Sequence, residues 1–242
     1  MQEAAAEYKK AISINPGDAE AHYNLGNLYY GQSMFREAAA SLHEAVTLDP
    51  AHSQAHNSLG NAYLRMGLLD KAAEEYKKTL ELDPDSVYAL SNMGNIHLMR
   101  NRLDEAVSAY TRALELKPEY VGARYNLGVA YYKLGQIEQA IEAYKKAIDL
   151  QPGYGDAHFS LAVAYYAKKD LEGAIREFKA ALKINPDDFL ARLTLADTLR
   201  EKGDISEALE HYRYFVDYAP ESYSTQLRAV RAIIKELSSG AR

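Results

Sequence analysis

Apolar and polar residues follow one another along this chain in blocks of helical period, and the blocks recur. Between Arg124 and Pro152, Leu127, Tyr131 and Leu134 fall on one face of a first segment, and Ile137, Ile141, Tyr144 and Ile148 on one face of a second. That spacing predicts two amphipathic helices separated by a short break. The same two-part unit returns along nearly the whole chain. Pro16, Pro50, Pro84, Pro118, Pro152, Pro186 and Pro220 are all the prolines present, and each stands 34 residues after the last. A fixed period of this size marks an array of stacked repeats, each unable to bury its apolar face alone.

With proline at position 32 of a 34-residue unit, the period predicts six full repeats: 19–52, 53–86, 87–120, 121–154, 155–188 and 189–222. Residues 1–18 read as the second helix of a truncated repeat, so the chain is expected to be a piece of a longer array. Residues 223–242 read as a capping helix and tail, with Tyr223, Leu227, Val230, Ile234 and Leu237 on one face. Position 15 holds Gly67, Asn101, Gly135 and Gly203, residue types that accept a left-handed helix terminus. Asp70, Asp104 and Ser206 follow three residues on and are expected to cap the second helix. Proline ends that helix, because the residue before it is pushed out of the helical region. Position 8 is Gly26, Gly60, Gly94, Gly128, Ala162 and Ala196, and position 20 is alanine throughout, which predicts close approach of paired helices. The expected fold is all-α, a right-handed α-solenoid of about fourteen helices.

These residues carry a family resemblance. A bulky residue, then Leu-Gly, Tyr, Ala, an aromatic and Pro stand in the second repeat as His56, Leu59, Gly60, Tyr63, Ala72, Tyr76 and Pro84. The pattern resembles the tetratricopeptide repeat over residues 1–222. Position 4 departs from it, with His22, His56, Leu90, Arg124, His158 and Arg192 in place of Trp, so looser or wetter packing is expected there. The resemblance implies a superhelix whose concave wall comes from positions 2, 5, 6, 9, 12 and 13 of the first helices, and a role in binding other proteins.

Along that wall the side chains change character. Asn24, Asn27, Asn61, Asn92, Asn95 and Asn126 occupy positions 6 and 9 in the earlier repeats, whereas Tyr125, Val129, Tyr132, Phe159, Val163 and Tyr166 dominate the fourth and fifth. An amide both donates and accepts, so a row of Asn can hold an extended peptide backbone. It can equally bridge neighbouring helices, and both readings stand at this point. The Asn row also resembles that of the repeat region of O-linked N-acetylglucosamine transferases, with Ser58, Ser160 and Thr194 departing from it. The apolar stretch facing an open groove reads as a contact surface.

Composition narrows the function classes. The 242 residues carry a net charge of −6, which gives no broad electrostatic attraction to phosphate backbones. The basic exception is 223–242, with Arg228, Arg231, Lys235 and Arg242 against Glu236. Cysteine is absent, which removes disulfides, thiolate metal sites and thiol nucleophiles. No apolar run approaches the ~20 residues that span a bilayer, and no signal peptide opens the chain, so a cytoplasmic location is expected. Phosphate-loop, nucleophile-elbow and zincin motifs are missing. His52 and His56, four apart, fall in an inter-repeat turn and a packing position, and read as structural. The chain is expected to be non-catalytic, without cofactor or metal, and to bind a peptide or protein segment, extended or helical, with apolar anchors. Two alternatives stay open: a substrate-recruiting arm of a larger glycosyltransferase, and a scaffold that self-assembles through the array ends.

Overall fold

The computed structural model describes residues 2–239. Among the described residues there are fourteen α-helices and no β-strand: α1 (Gln2–Ile14), α2 (Ala19–Gly31), α3 (Phe35–Leu48), α4 (Ser53–Arg65), α5 (Leu69–Leu82), α6 (Val87–Met99), α7 (Leu103–Leu116), α8 (Val121–Lys133), α9 (Ile137–Leu150), α10 (Gly155–Ala167), α11 (Leu171–Ile184), α12 (Phe189–Lys202), α13 (Ile205–Tyr218) and α14 (Ser224–Ser239). A 3-10 turn, Glu221–Tyr223, precedes α14. The fold is an all-α, solenoid-type helical repeat. Two compact units divide the chain, Met1–Ala123 and Arg124–Arg242.

Within a hairpin, the turn is closed by one left-handed residue. Gly67, Gly135 and Gly203 have φ of +75°, +75° and +97°, and Ser33, Asn101 and Lys169 take +61°, +56° and +66°. The next N–H then reaches back five residues, as in Leu68 to the Tyr63 carbonyl at 2.9 Å and Asp170 to the Tyr165 carbonyl at 3.0 Å. This is the Schellman closure, which satisfies a carbonyl that the helix end leaves open. It also corrects the expected caps. The second helix restarts so soon that Leu68, Arg102 and Asp204 are the N-caps, and Asp70, Asp104 and Ser206 lie inside the first turn. There the two carboxylates complement the helix dipole rather than capping an N–H. Side-chain caps occur instead at Asp18, Asp170 and Asp188, which accept from Ala21, Gly173 and Ala191.

The small residues at position 8 meet the residue at position 24 of the partner helix. A Cβ on Gly60, Gly94 or Gly128 would stand 2.6 Å from the ring of Tyr76, Tyr110 or Tyr144, and one on Gly26 2.5 Å from Leu42. Those rings and Leu42 are almost fully buried, as is the alanine at position 20 beside them. In the first unit, Ala38, Leu42, Ala45, Leu59 and Ala62 form one cluster, and Ala72, Tyr76 and Ile96 another. In the second, a continuous core runs from Ala140 and Tyr144 through Leu161, Phe178, Leu195 and Phe215 to Val230 of α14.

At His22, His56, His158 and Arg192, position 4 is polar but not loose, contrary to expectation. Nε2 of His22, His56 and His158 donates to the carbonyl of Pro16, Pro50 and Pro152 at 3.3, 3.1 and 3.2 Å, and Arg192 donates to that of Pro186 at 2.7 Å. The other ring nitrogen of His56 faces Glu75 at 2.7 Å, that of His158 faces Glu177 at 2.8 Å, and the Arg192 guanidinium lies 3.7 Å over the Tyr214 ring. The proline that ends a helix pair leaves a carbonyl in need of a donor, and in these four repeats a long polar side chain six residues on supplies it; Leu90, six residues after Pro84, does not.

Candidate functional site

The candidate wall residues sit on α2, α4 and α6 in the first unit and on α8, α10 and α12 in the second. In the first unit the Asn residues are tied to the fold. Asn61 Oδ1 accepts from the Tyr76 hydroxyl at 2.7 Å and from Asn92 Nδ2 at 2.9 Å, so one oxygen joins α4, α5 and α6. Asn95 Oδ1 accepts from Tyr110 at 2.7 Å. Asn24 donates along its own helix to Glu20 at 3.0 Å, and Asn27 is half-buried one turn further. In the second unit Asn126 is also partnered, and Asp197 takes the place of Asn61 and Asn95 on α12, accepting from Tyr212 at 2.5 Å. Burial pushes the Tyr76, Tyr110 and Tyr212 hydroxyls well above the usual tyrosine range, which keeps them protonated as donors.

The apolar residues of the second unit behave differently. Tyr125, Val129 and Tyr132 of α8 and Phe159 and Val163 of α10 line one open cavity of about 320 Å³. Their spacings, i, i+4 and i+7 on one helix and i, i+4 on the other, put each set on a single face. Behind them the core residues Tyr144 and Phe178 hold the rings in place: Tyr125 packs on Tyr144 with centroids 5.8 Å apart, and Phe159 meets Phe178 edge-on at 5.6 Å. Tyr125 also packs on Tyr154 at 5.0 Å, whose hydroxyl is pushed up to about 12 by burial and by Tyr125. The floor has a polar spot where the Tyr125 hydroxyl and Ser160 Oγ lie 3.2 Å apart.

Tyr166, expected with this group, lies outside the cavity. Its hydroxyl donates to Glu201, and Lys169 lies 3.0 Å from the same carboxylate and 5.3 Å over the Tyr166 ring. Conversely, Lys133, Tyr144 and Ser160 line the cavity although none of them is among the candidate binding residues, Ser160 standing at wall position 6. Position 13 was read as part of the wall, which would have been enough to single out Lys133. Tyr144 needed the helix-pair geometry.

His52 and His56 do not converge. His52 Nδ1 accepts from the Ala55 N–H and its Nε2 lies 3.3 Å from Glu20, whereas His56 is held by Glu75 and Pro50. No group of three or more metal-ligating side chains forms among the described residues, and none of their helices is long and apolar enough to cross a membrane.

Comparison with known proteins places this geometry. The family described as "Tetratricopeptide repeat" matches residues 23–87 and 125–189, more than half of the chain, and related repeat families match 1–33 with 94–135, 75–108 and 166–222. No curated protein matches in sequence. Among solved structures, the chain is 26% identical to YrrB, "a TPR protein with an unusual peptide-binding site", over 77% of this chain and 96% of that one, with a TM-score of 0.65. It is 31% identical to MamA over 67% of this chain and 95% of that one, with a TM-score of 0.62. The fold is also that of pilF from Pseudomonas aeruginosa, at 21% identity over 88% of this chain and 96% of that one and a TM-score of 0.77.

Proposed function

The chain belongs to the tetratricopeptide repeat family, whose members generally mediate protein–protein interaction, and on that premise we propose that it is a non-catalytic scaffold that binds a peptide or protein segment. The observation that carries the reading is the apolar cavity formed by Tyr125, Val129, Tyr132, Phe159 and Val163. Open apolar cavities rimmed by polar groups mark recognition sites. YrrB, described as peptide-binding, is similar over most of both chains, which supports the same kind of ligand here. The ligand is a segment with clustered apolar residues, one of which enters the cavity as anchor.

The Asn residues take a secondary part. Asn61 Oδ1 and Asn92 Nδ2 are committed to each other and to Tyr76, but Asn61 Nδ2 and Asn92 Oδ1 take part in neither bond. Those atoms are the ones offered to a peptide backbone.

Selection of short random peptides displayed on phage against the immobilised chain tests this. The selected peptides should share clustered apolar side chains and bind Tyr132→Ala about thirtyfold more weakly, the loss of a buried aromatic anchor at ~2 kcal/mol. Melting temperature should change little, because Tyr132 is half-buried at the surface of its unit. Peptides that bind Tyr132→Ala and Phe159→Ala as tightly as the parent would remove the cavity from the binding site.

A further inference from the structure

The first unit holds a second cavity of different chemistry. It measures about 240 Å³ and lies where Tyr23 of α2, Asn57 and Ser58 of α4, Asp83 at the end of α5, and Ser86 and Tyr88 at the start of α6 come together. No Lys or Arg lines it. Asp83 makes no ion pair among the described residues, whereas Asp85, two residues on, pairs with Arg112 at 2.8 Å. Beneath the cavity surface, Asn57 Oδ1 is buried and accepts no hydrogen bond from any described residue. A buried oxygen in that condition is uncommon, and its usual explanation is a partner that the folded chain does not itself supply. The terminal torsion of Asn is soft, so a small rotation turns this oxygen toward an incoming donor.

We infer that this cavity takes the guanidinium of an arginine side chain presented by a partner segment. Its acceptors are the Asp83 carboxylate, of which Oδ1 already takes the Asp85 N–H at 3.3 Å and Oδ2 is left, the Asn57 amide oxygen and the hydroxyl oxygens of Ser58 and Ser86. They are spread around the space rather than gathered at one point. A planar group with five N–H donors serves several of them together, which a single ammonium does not. Tyr88 is more than half exposed, at 54%, and adds a ring face for the cation. That ring already attracts one, since Lys117 lies 5.5 Å from its centroid, shared with Tyr120 at 5.9 Å and outside the cavity lining. The site is independent of the aromatic cavity of the second unit, shares no residue with it, and stands or falls separately.

The test is a titration of the ¹⁵N-labelled full chain with N-acetylargininamide, with the citrulline and lysine analogues as controls. The side-chain amide signal of Asn57 and the backbone signal of Ser86 should move saturably with the arginine compound. Its apparent dissociation constant should be about tenfold lower than that of either control, the scale of one charge-assisted hydrogen bond. Asp83→Asn, at an exposed position, should abolish the difference while leaving the Asn57 signal in place. Asn57→Ala, checked for an unchanged melting temperature, should weaken binding and report through Ser86 alone. Equal responses to all three compounds, no response at Asn57 up to the solubility limit, or full affinity in Asp83→Asn would each overturn the assignment.

Discussion

Replacing Asn61 by Ala removes one oxygen that serves two donors on different helices. The Tyr76 hydroxyl lies 2.7 Å from it and the Asn92 amide 2.9 Å. Tyr76 has no exposed surface, so its hydroxyl cannot turn to water once the oxygen is gone. Stranding a buried hydroxyl costs roughly 2 kcal/mol, and losing the Asn92 bond adds about 1, for a total near 3. Tyr76→Phe removes one bond and leaves Asn61 still served by Asn92, a loss of about 1 kcal/mol. In the Tyr76→Phe background, however, Asn61→Ala strands nothing in the core and should cost only about 1 kcal/mol. The two changes are therefore expected to couple by about 2 kcal/mol. Urea titrations followed by circular dichroism measure this as shifts of midpoint at constant slope. Asn61→Asp supplies a control, because Asp197 already accepts from Tyr212 in the same relation; it should retain most of the stability that Ala loses. If Asn61→Ala costs the same with and without the Tyr76 hydroxyl, the shared oxygen does not hold these helices together.

Two further outcomes follow from the backbone and from two half-buried histidines. Ser33 holds φ +61°, a region costing non-glycine residues ~1–2 kcal/mol, against which glycine brings its own entropy loss; Ser33→Gly should raise stability by about 0.5–1 kcal/mol, read as a higher melting temperature. Burial, ahead of any charge, holds the imidazoles of His97 and His211 below the usual histidine range. The unfolded chain takes up their protons near pH ~6.5 and the folded chain only lower. Their contribution is therefore complete above that pH and is lost as pH falls through it toward the folded values. His211→Gln should lose stability less steeply than the parent between pH 7 and pH 5 in urea titrations, and parallel curves would contradict this.

The periodic part of the structure was legible because each repeat states it again. Helix pairs, proline ends and the glycine–aromatic contact need only local rules and a period. The left-handed turn could be read at Gly67, Asn101, Gly135 and Gly203, whose side chains permit it, but not at Ser33 or Lys169. There the hairpin geometry imposes the conformation on residues that do not favour it. The caps were misplaced by two residues because the Schellman closure consumes so little chain. For the Asn residues, sequence left two uses open, since the choice depends on whether a tyrosine hydroxyl from the partner helix reaches them, as Tyr76 reaches Asn61. Tyr166 was drawn away from its neighbours by Glu201, 35 residues on, a pairing no local pattern shows. The polar cavity around Asn57 was invisible for the same reason, as its walls come from four helices and the turn between two of them.

The bond from position 4 to the proline carbonyl has a consequence for how such an array can change. Where it forms, it fixes where the first helix starts relative to the pair before it, and it does so equally well through His22 and His56 or through Arg192. The glycine–ring contact does the same between the two helices of a pair. Spacing is thereby set by one group of positions, and the residues exposed on the wall belong to another. A repeat can then exchange its lining, as position 5 does between Asn57 and Phe159, without shifting its neighbours. Mutation can thus explore ligand chemistry one repeat at a time, and lining residues grafted from one repeat to another within a unit should carry their preference with them.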